Sequence, residues 1–140
     1  MDISGIASRE DFEYWLATLD TFLAEFVEEF PASVRRKLDY SSASLDMVES
    51  WILKTYESTD AMLEGTEGRR VNRAACYIGE TFRKAAKGKW TVNLEDRDRA
   101  YFGLPIIVAP GKDSECPLTL ATTAADRRTG TFLRTMLENY

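Results

Sequence analysis

Between residues 12 and 30 the hydrophobic positions fall at helical spacing. Phe12, Trp15, Leu16, Leu19, Phe22, Leu23, Phe26, Val27 and Phe30 occupy one arc of roughly 140° at about 100° per residue. The positions between them are polar, small or acidic, apart from Tyr14 on the far side. Ser8 and Asp11 supply an N-cap and an acid for the first turn, and Pro31 stops the helix because it lacks a donor N–H and disfavours helix in the residue before it. The pattern predicts one helix from Ser8 to Phe30 whose aromatic stripe is core.

Residues 31–43, "PASVRRKLDYSSA", predict a short helical turn and then a loop. Ser44 caps a second helix, in which Leu45, Val48, Trp51, Ile52, Leu53 and Tyr56 spread over a wide arc, so it is buried on more than one side. It fades in "ESTDAMLEGTEG", where Gly65 and Gly68 mark a connector. A third helix is predicted over 67–87, with a narrow stripe of Val71, Ala75, Ile78, Phe82 and Ala86. Gly88 stands as its C′ residue and Lys84 and Lys87 complement the dipole in its last turn. Small residues at 74, 75, 76 and 79 allow another helix to approach closely.

Beyond Gly88 the period changes to two. "KWTVNL" alternates Trp90, Val92 and Leu94 as a half-buried strand, and "YFGLPIIVA" is a second strand, apolar on both sides over 106–109. "EDRDR" between them is an exposed hairpin-like connection. "GKDSECP" is a loop, Pro117 opens a last helix, and Leu118, Ala121, Ala125, Phe132, Leu133 and Met136 share its face. Gly130 marks a kink or a break there, at about 1 kcal/mol against alanine. The order is three helices, a two-stranded antiparallel β element and a C-terminal helix, in a single α+β domain over 1–140.

Composition adds limits. The chain has 140 residues, 44% hydrophobic and 29% charged, which is globular and large enough for one core. Apolar runs such as "LPIIVAP" are too short for a membrane span, and "MDISGIASRED" has no apolar leader segment, so a cytoplasmic location is expected. The His count is 0, which excludes Ser-His-Asp and Cys-His catalysis, and with only 2 Cys no zinc-ligand spacing exists. No cofactor is implied. Cys76, in "RAACYIG", reads as a small packing residue, and a disulfide with Cys116 is unforced.

The net charge of -5 hides a polarity. Residues 1–68 hold 15 acids against 5 Lys/Arg, and 69–140 hold 8 against 13. Either the halves face each other in the fold, or an acidic face steers a basic partner. A pI near 4.9 and basic residues without interleaved aromatics speak against nucleic acid.

Chemistry-bearing constellations are few. "EGTEGRR" lacks the GK[ST] ending of a phosphate loop, although Arg69 and Arg70 are placed to hold an anion at a helix start. The pairs Glu28-Glu29 and Asp96-Asp98 sit in polar surroundings that cannot raise a pKa for acid catalysis. Glu80 has two readings. It lies opposite the predicted stripe with Arg83 and Lys84 one turn on, as a surface ion pair would; alternatively it is a buried acceptor for Arg127 or Arg128 of the last helix.

"AACYIGETFRKAAKGKWTV", "YFGLPIIVAPG" and "CPLTLATTAADRRTGTFLRTML", over residues 71–137, resemble small uncharacterised bacterial domains with a Tyr-x-Gly-Glu helix running into a Gly-x-Trp strand. Some of these are similar to immunity proteins encoded beside polymorphic toxins. The resemblance implies packing roles for Tyr77, Gly79, Glu80 and Trp90, and no catalytic residue. Together with the acidic half it leads to the expectation of a non-enzymatic binding protein that neutralises a cognate toxin, with Glu25, Glu28, Glu29, Asp39 and Tyr40 as contacts. The rival expectation is a small-molecule or enzymatic pocket lined by Tyr77, Glu80, Trp90 and Tyr101; a third is a structural homo-oligomer.

Overall fold

A computed structural model describes residues 6–140. The class is α+β: among the described residues eight helices accompany one two-stranded antiparallel sheet. The order is α1 (Arg9–Ala17), α2 (Leu19–Glu28), α3 (Ala32–Arg35), α4 (Ser44–Thr55), α5 (Thr59–Met62), α6 (Gly68–Ala86), β1 (Lys89–Val92), β2 (Pro105–Val108), α7 (Pro117–Arg127) and α8 (Phe132–Glu138). A 3₁₀ turn, Gly65–Glu67, leads into α6.

The first helix begins as its sequence dictates. Ser8 Oγ accepts from the Asp11 N–H at 3.1 Å, and Asp11 Oδ2 accepts from the Ala7 N–H at 3.2 Å. The expected single helix is, however, two. At Thr18 the backbone turns (φ -91°, ψ -3°), its N–H bonds to the Trp15 carbonyl, and its hydroxyl bonds to that same carbonyl at 2.7 Å. A threonine that bonds back into the preceding turn bends a helix. The break spans one residue, so the aromatic stripe keeps its phase: Phe12 and Trp15 of α1 and Leu19, Phe22, Leu23 and Phe26 of α2 are all buried.

The helix α6 departs most from expectation. Its stripe is not narrow: Val71, Asn72 and every residue from Ala74 to Phe82 are buried. It is the central rod, with α2 against one side, α7 against another, and the sheet across its C-terminal part. The small residues at 74, 75 and 79 do allow close approach, and α7 presents Ala121, Ala124 and Ala125, all buried, in return. Gly79 is required by contact, since a Cβ there would overlap the Trp90 ring and come within 2.8 Å of Pro117 Cγ.

The helix ends one residue earlier than the glycine rule places it. Lys87, not Gly88, takes the left-handed conformation (φ 56°), which costs a non-glycine residue about 1 kcal/mol. Gly88 is needed for another reason: a Cβ on it would sit 2.5 Å from the Val108 carbonyl oxygen, where β1 crosses to β2. The strands pair Lys89↔Val108, Trp90↔Ile107, Thr91↔Ile106 and Val92↔Pro105. Trp90 and Val92 face the core. The second strand starts at Pro105 and not at Tyr101, because residues 93–104 close a long connection in which the Gly103 N–H bonds to the Asn93 carbonyl. Ile107 also exchanges both backbone bonds with Glu115.

The segment read as a fading connector contains α5, capped by Ser58 Oγ on the Ala61 N–H. The expected C-terminal helix is broken at Arg128 (φ 56°) and Gly130 (φ 80°) into α7 and α8. What orders α8 is Glu49, a fully buried carboxylate on α4. Its two oxygens accept the N–H groups of Phe132 (3.2 Å) and Leu133 (2.8 Å), two of the donors a helix start leaves unpaired. Arg134 on α8 then reaches Asp46 on α4 at 2.7 Å.

Glu49→Ala leaves both N–H groups without acceptors and a cavity under α8, and is expected to lower stability by about 2–4 kcal/mol in denaturant titration. Glu49→Gln, which keeps one acceptor, is expected to lose less; equal losses would refute the capping role.

Candidate functional site

Glu80 is dry. The residue is 7% exposed, although it lies away from the predicted stripe, because α6 is covered on that side too. Its partner is neither Arg127 nor Arg128 but Arg83, one turn along the same helix. Arg83 donates from Nε to Oε1 at 2.6 Å and from Nη2 to Oε2 at 3.0 Å, a two-pronged grip that fits a carboxylate. The Trp90 indole N–H donates to Oε1 at 2.9 Å. Burial pushes the Glu80 carboxyl up, but the hydrogen bonds from Arg83 and Trp90 and the charges of Arg83 and Lys84 outweigh it and hold the group below its ordinary value.

The contact continues through aromatic rings back to the same helix. Trp90 meets Trp15 edge-on at 5.0 Å between centroids, Trp15 lies 6.0 Å from Phe12, and the Trp15 indole N–H donates to Asn72 Oδ1 at 3.3 Å. The chain of contacts starts on α6 at Glu80 and returns to it at Asn72, tying in β1 and α1. Cys76, also buried, has its thiol pushed up by burial and then by the Glu80 charge, so it is held protonated and unreactive.

Tyr77 belongs to a different cluster. It is fully buried; its hydroxyl donates to Ser44 Oγ at 2.9 Å and accepts from the Tyr40 N–H at 3.0 Å. Tyr40, at φ 64°, stacks on the Tyr77 ring at 4.7 Å, and the Lys84 ammonium lies 5.1 Å from the Tyr40 centroid. Half-burial pushes the Tyr40 hydroxyl up to about 12. Asp39 beside it is exposed and accepts the Ser41 N–H in a local turn. Tyr101 lies in the 93–104 connection at φ 68°, where burial and then the nearby Cys116 and Glu115 push its hydroxyl up. Tyr77, Glu80, Trp90 and Tyr101 therefore do not line one pocket, and the first three are packing groups with their polar atoms satisfied.

The two arginines of "DRRTG" also have other work. Arg128 donates to the carbonyls of Leu53 (2.9 Å), Tyr56 (3.1 Å) and Ala125 (3.2 Å), so one cation serves the C-terminal ends of α4 and α7. Arg127 is exposed and lies 5.1 Å from the centroid of the Phe132 ring.

The acidic and basic halves meet across α2 and α6. Glu25 pairs with Arg69 (2.9 Å) and Arg73 (3.2 Å), and Glu29 with Arg70 (3.6 Å) and Arg73 (3.5 Å). Arg73 is largely covered, its side chain 16% exposed, so this is a network with some depth and not four separate surface pairs. Glu25 and Glu29 are thereby engaged within the molecule, and Arg69 and Arg70 face carboxylates instead of an anion. The Glu28 carboxylate has no ion-pair partner among the described residues, and the residue's carbonyl accepts from Arg35.

The outward face of α1 and α2 borders that network, with Arg69 beside Tyr14 and Thr21 and Arg73 beside Glu28. Glu10, Glu13, Tyr14, Ala17, Asp20, Thr21, Ala24 and Glu28 are exposed in succession. None of the four carboxylates has an ion-pair partner among the described residues; Arg9 is exposed at the start of α1, and Arg69 borders the face beside Tyr14 and Thr21. Tyr14, at 63%, is one of two large hydrophobic side chains so exposed among them. Beside it is a slot of about 240 Å³ with Trp15, Phe22 and Arg69 in its walls. Sequence reasoning set Tyr14 aside as an exception to the stripe; an aromatic on the polar side of an amphipathic helix was the available signal. Glu49 carried none, being one acid in a helix already read as buried on several sides.

Removing the Glu80 charge tests the seam. The folded pKa is depressed, so the carboxylate's contribution is present above the unfolded value and is lost as pH falls through the folded one. The wild-type chain is expected to lose stability below about pH 4.5, and Glu80→Gln is expected to flatten that loss while costing about 1–3 kcal/mol at pH 7. Gly79→Ala forces the Trp90 ring out of place and is expected to cost at least about 1–3 kcal/mol, with a changed tryptophan fluorescence spectrum.

No family model, no curated protein and no solved structure matches this chain.

Proposed function

We propose that this chain is a non-enzymatic protein-binding domain of the immunity type, which occludes the site of a basic toxin with the outward face of α1 and α2. The observation that carries this reading is that face itself: four carboxylates without ion-pair partners among the described residues, and an exposed tyrosine beside a slot. Tyrosine is favoured at interfaces because a large rigid surface and a hydrogen-bonding tip come at small conformational cost, and a rim of like charge speeds encounter with a basic protein. Of the contacts expected from sequence, Glu28 stays in this surface. Glu10, Glu13, Tyr14 and Asp20 join it, while Glu25 and Glu29 hold α6 in place behind it.

The resemblance over residues 71–137 supports the reading from the other side. The Tyr77, Gly79, Glu80 and Trp90 side chains are taken up by packing within the fold, which leaves the contact surface to α1 and α2. The rival pocket around Glu80 loses its support, because both oxygens of that carboxylate are occupied and the Trp90 ring fills the space over Gly79.

The test is co-expression with the product of the adjacent reading frame. Expected are a stoichiometric complex and restored growth. Combined Glu13→Lys and Asp20→Lys substitutions are expected to slow association by about tenfold or more at low salt, and Tyr14→Ala to speed dissociation. A complex unaffected by all three would place the interface elsewhere; neither complex nor rescue would remove the immunity reading.

A further inference from the structure

At the end of the molecule where α6 hands over to the sheet, Lys87, Gly88, Lys89, Val108, Ala109 and Pro110 enclose a cleft of about 410 Å³. That volume is within the range of small-ligand sites. Its walls are mostly apolar. Lys87 and Lys89, both exposed, line it, and neither is within ion-pair distance of a carboxylate among the described residues. The C-terminal end of α6 contributes about half a negative charge here, against two full positive ones.

A second observation concerns the Lys87 side chain, which like that of Tyr101 is left without a partner among the described residues. Among these residues four non-glycine residues hold positive φ: Tyr40, Lys87, Tyr101 and Arg128. At Tyr40 the conformation is supported by stacking on Tyr77 and a hydrogen bond to its hydroxyl, and at Arg128 by three bonds to helix-end carbonyls. The Lys87 side chain makes no hydrogen bond, ion pair or ring contact among the described residues. The left-handed turn at Lys87 ends α6 with backbone bonds to the Arg83 carbonyl, and it leaves the lysine side chain without an internal partner among the described residues.

We infer that this cleft is a binding site for a small amphipathic anion, an apolar body carrying one carboxylate or comparable acidic group. Val108, Ala109 and Pro110 take the body, and Lys87 and Lys89 hold the anionic head. The cleft uses none of the residues of the acidic α1 and α2 face, so the two sites stand or fall separately.

Decanoate is the probe, with decanol as its uncharged counterpart, followed through backbone amide shifts on the full chain. At up to about 1 mM, the weak end of ligand affinities, decanoate is expected to move the amides of Lys87, Gly88, Lys89, Val108 and Ala109, and decanol is not. Lys87→Gly is expected to keep Tm or raise it by about 3 °C while weakening decanoate binding at least tenfold. Lys89→Gln is expected to weaken it with Tm unchanged. Absence of these shifts, equal shifts with decanol, or undiminished affinity in both variants would overturn the assignment.

Discussion

One helix has no wet side through its middle, and that constraint organises the rest. From Val71 to Phe82 only Arg73 of α6 reaches solvent to any extent, so the other polar groups there look for partners inside the protein, and all but the Asn72 Nδ2 side-chain nitrogen find one among the described residues. Asn72 takes the Trp15 indole, Tyr77 takes Ser44 and the Tyr40 backbone, Thr81 bonds back to the Tyr77 carbonyl, and Glu80 takes Trp90 with Arg83. Each bond recruits a different element. The polar residues of the central rod thus fix which neighbour lies where, which uniform apolar packing would leave loosely specified.

Electrostatics is used mainly inward. Three arginines at the start of α6 meet two glutamates on α2, Arg128 serves two helix ends, and Glu49 and Asp46 hold α8. The net charges of the two halves of the chain are complementary because the halves are packed together. The acidic side of α1 and α2 and the lysines around the end of α6 are among the places where charge stays unpaired among the described residues.

Much of the fold is legible in the amino-acid order. The α+β class, the aromatic stripe over 12–30, the antiparallel strand pair and the Pro117 helix start all follow from period, punctuation and side-chain shape. Elements were misjudged where the deciding event was local and small. One threonine hydroxyl bends the first helix, and a close approach to Val108 uses up the glycine that would otherwise have ended α6. Periodicity averages over several turns and cannot register either.

The sequence by itself determined what chemistry is possible: a chain without histidine, with two isolated cysteines and acids in polar surroundings, carries no familiar catalytic constellation. Only the tertiary structure decided which of its charges are spent. Glu25 and Glu80 look alike in sequence to Glu13 and Glu28, each an acid on a helix. Whether an arginine or an indole from elsewhere in the chain comes within 3 Å of it depends on how helices cross, a long-range relation that spacing along one helix does not encode.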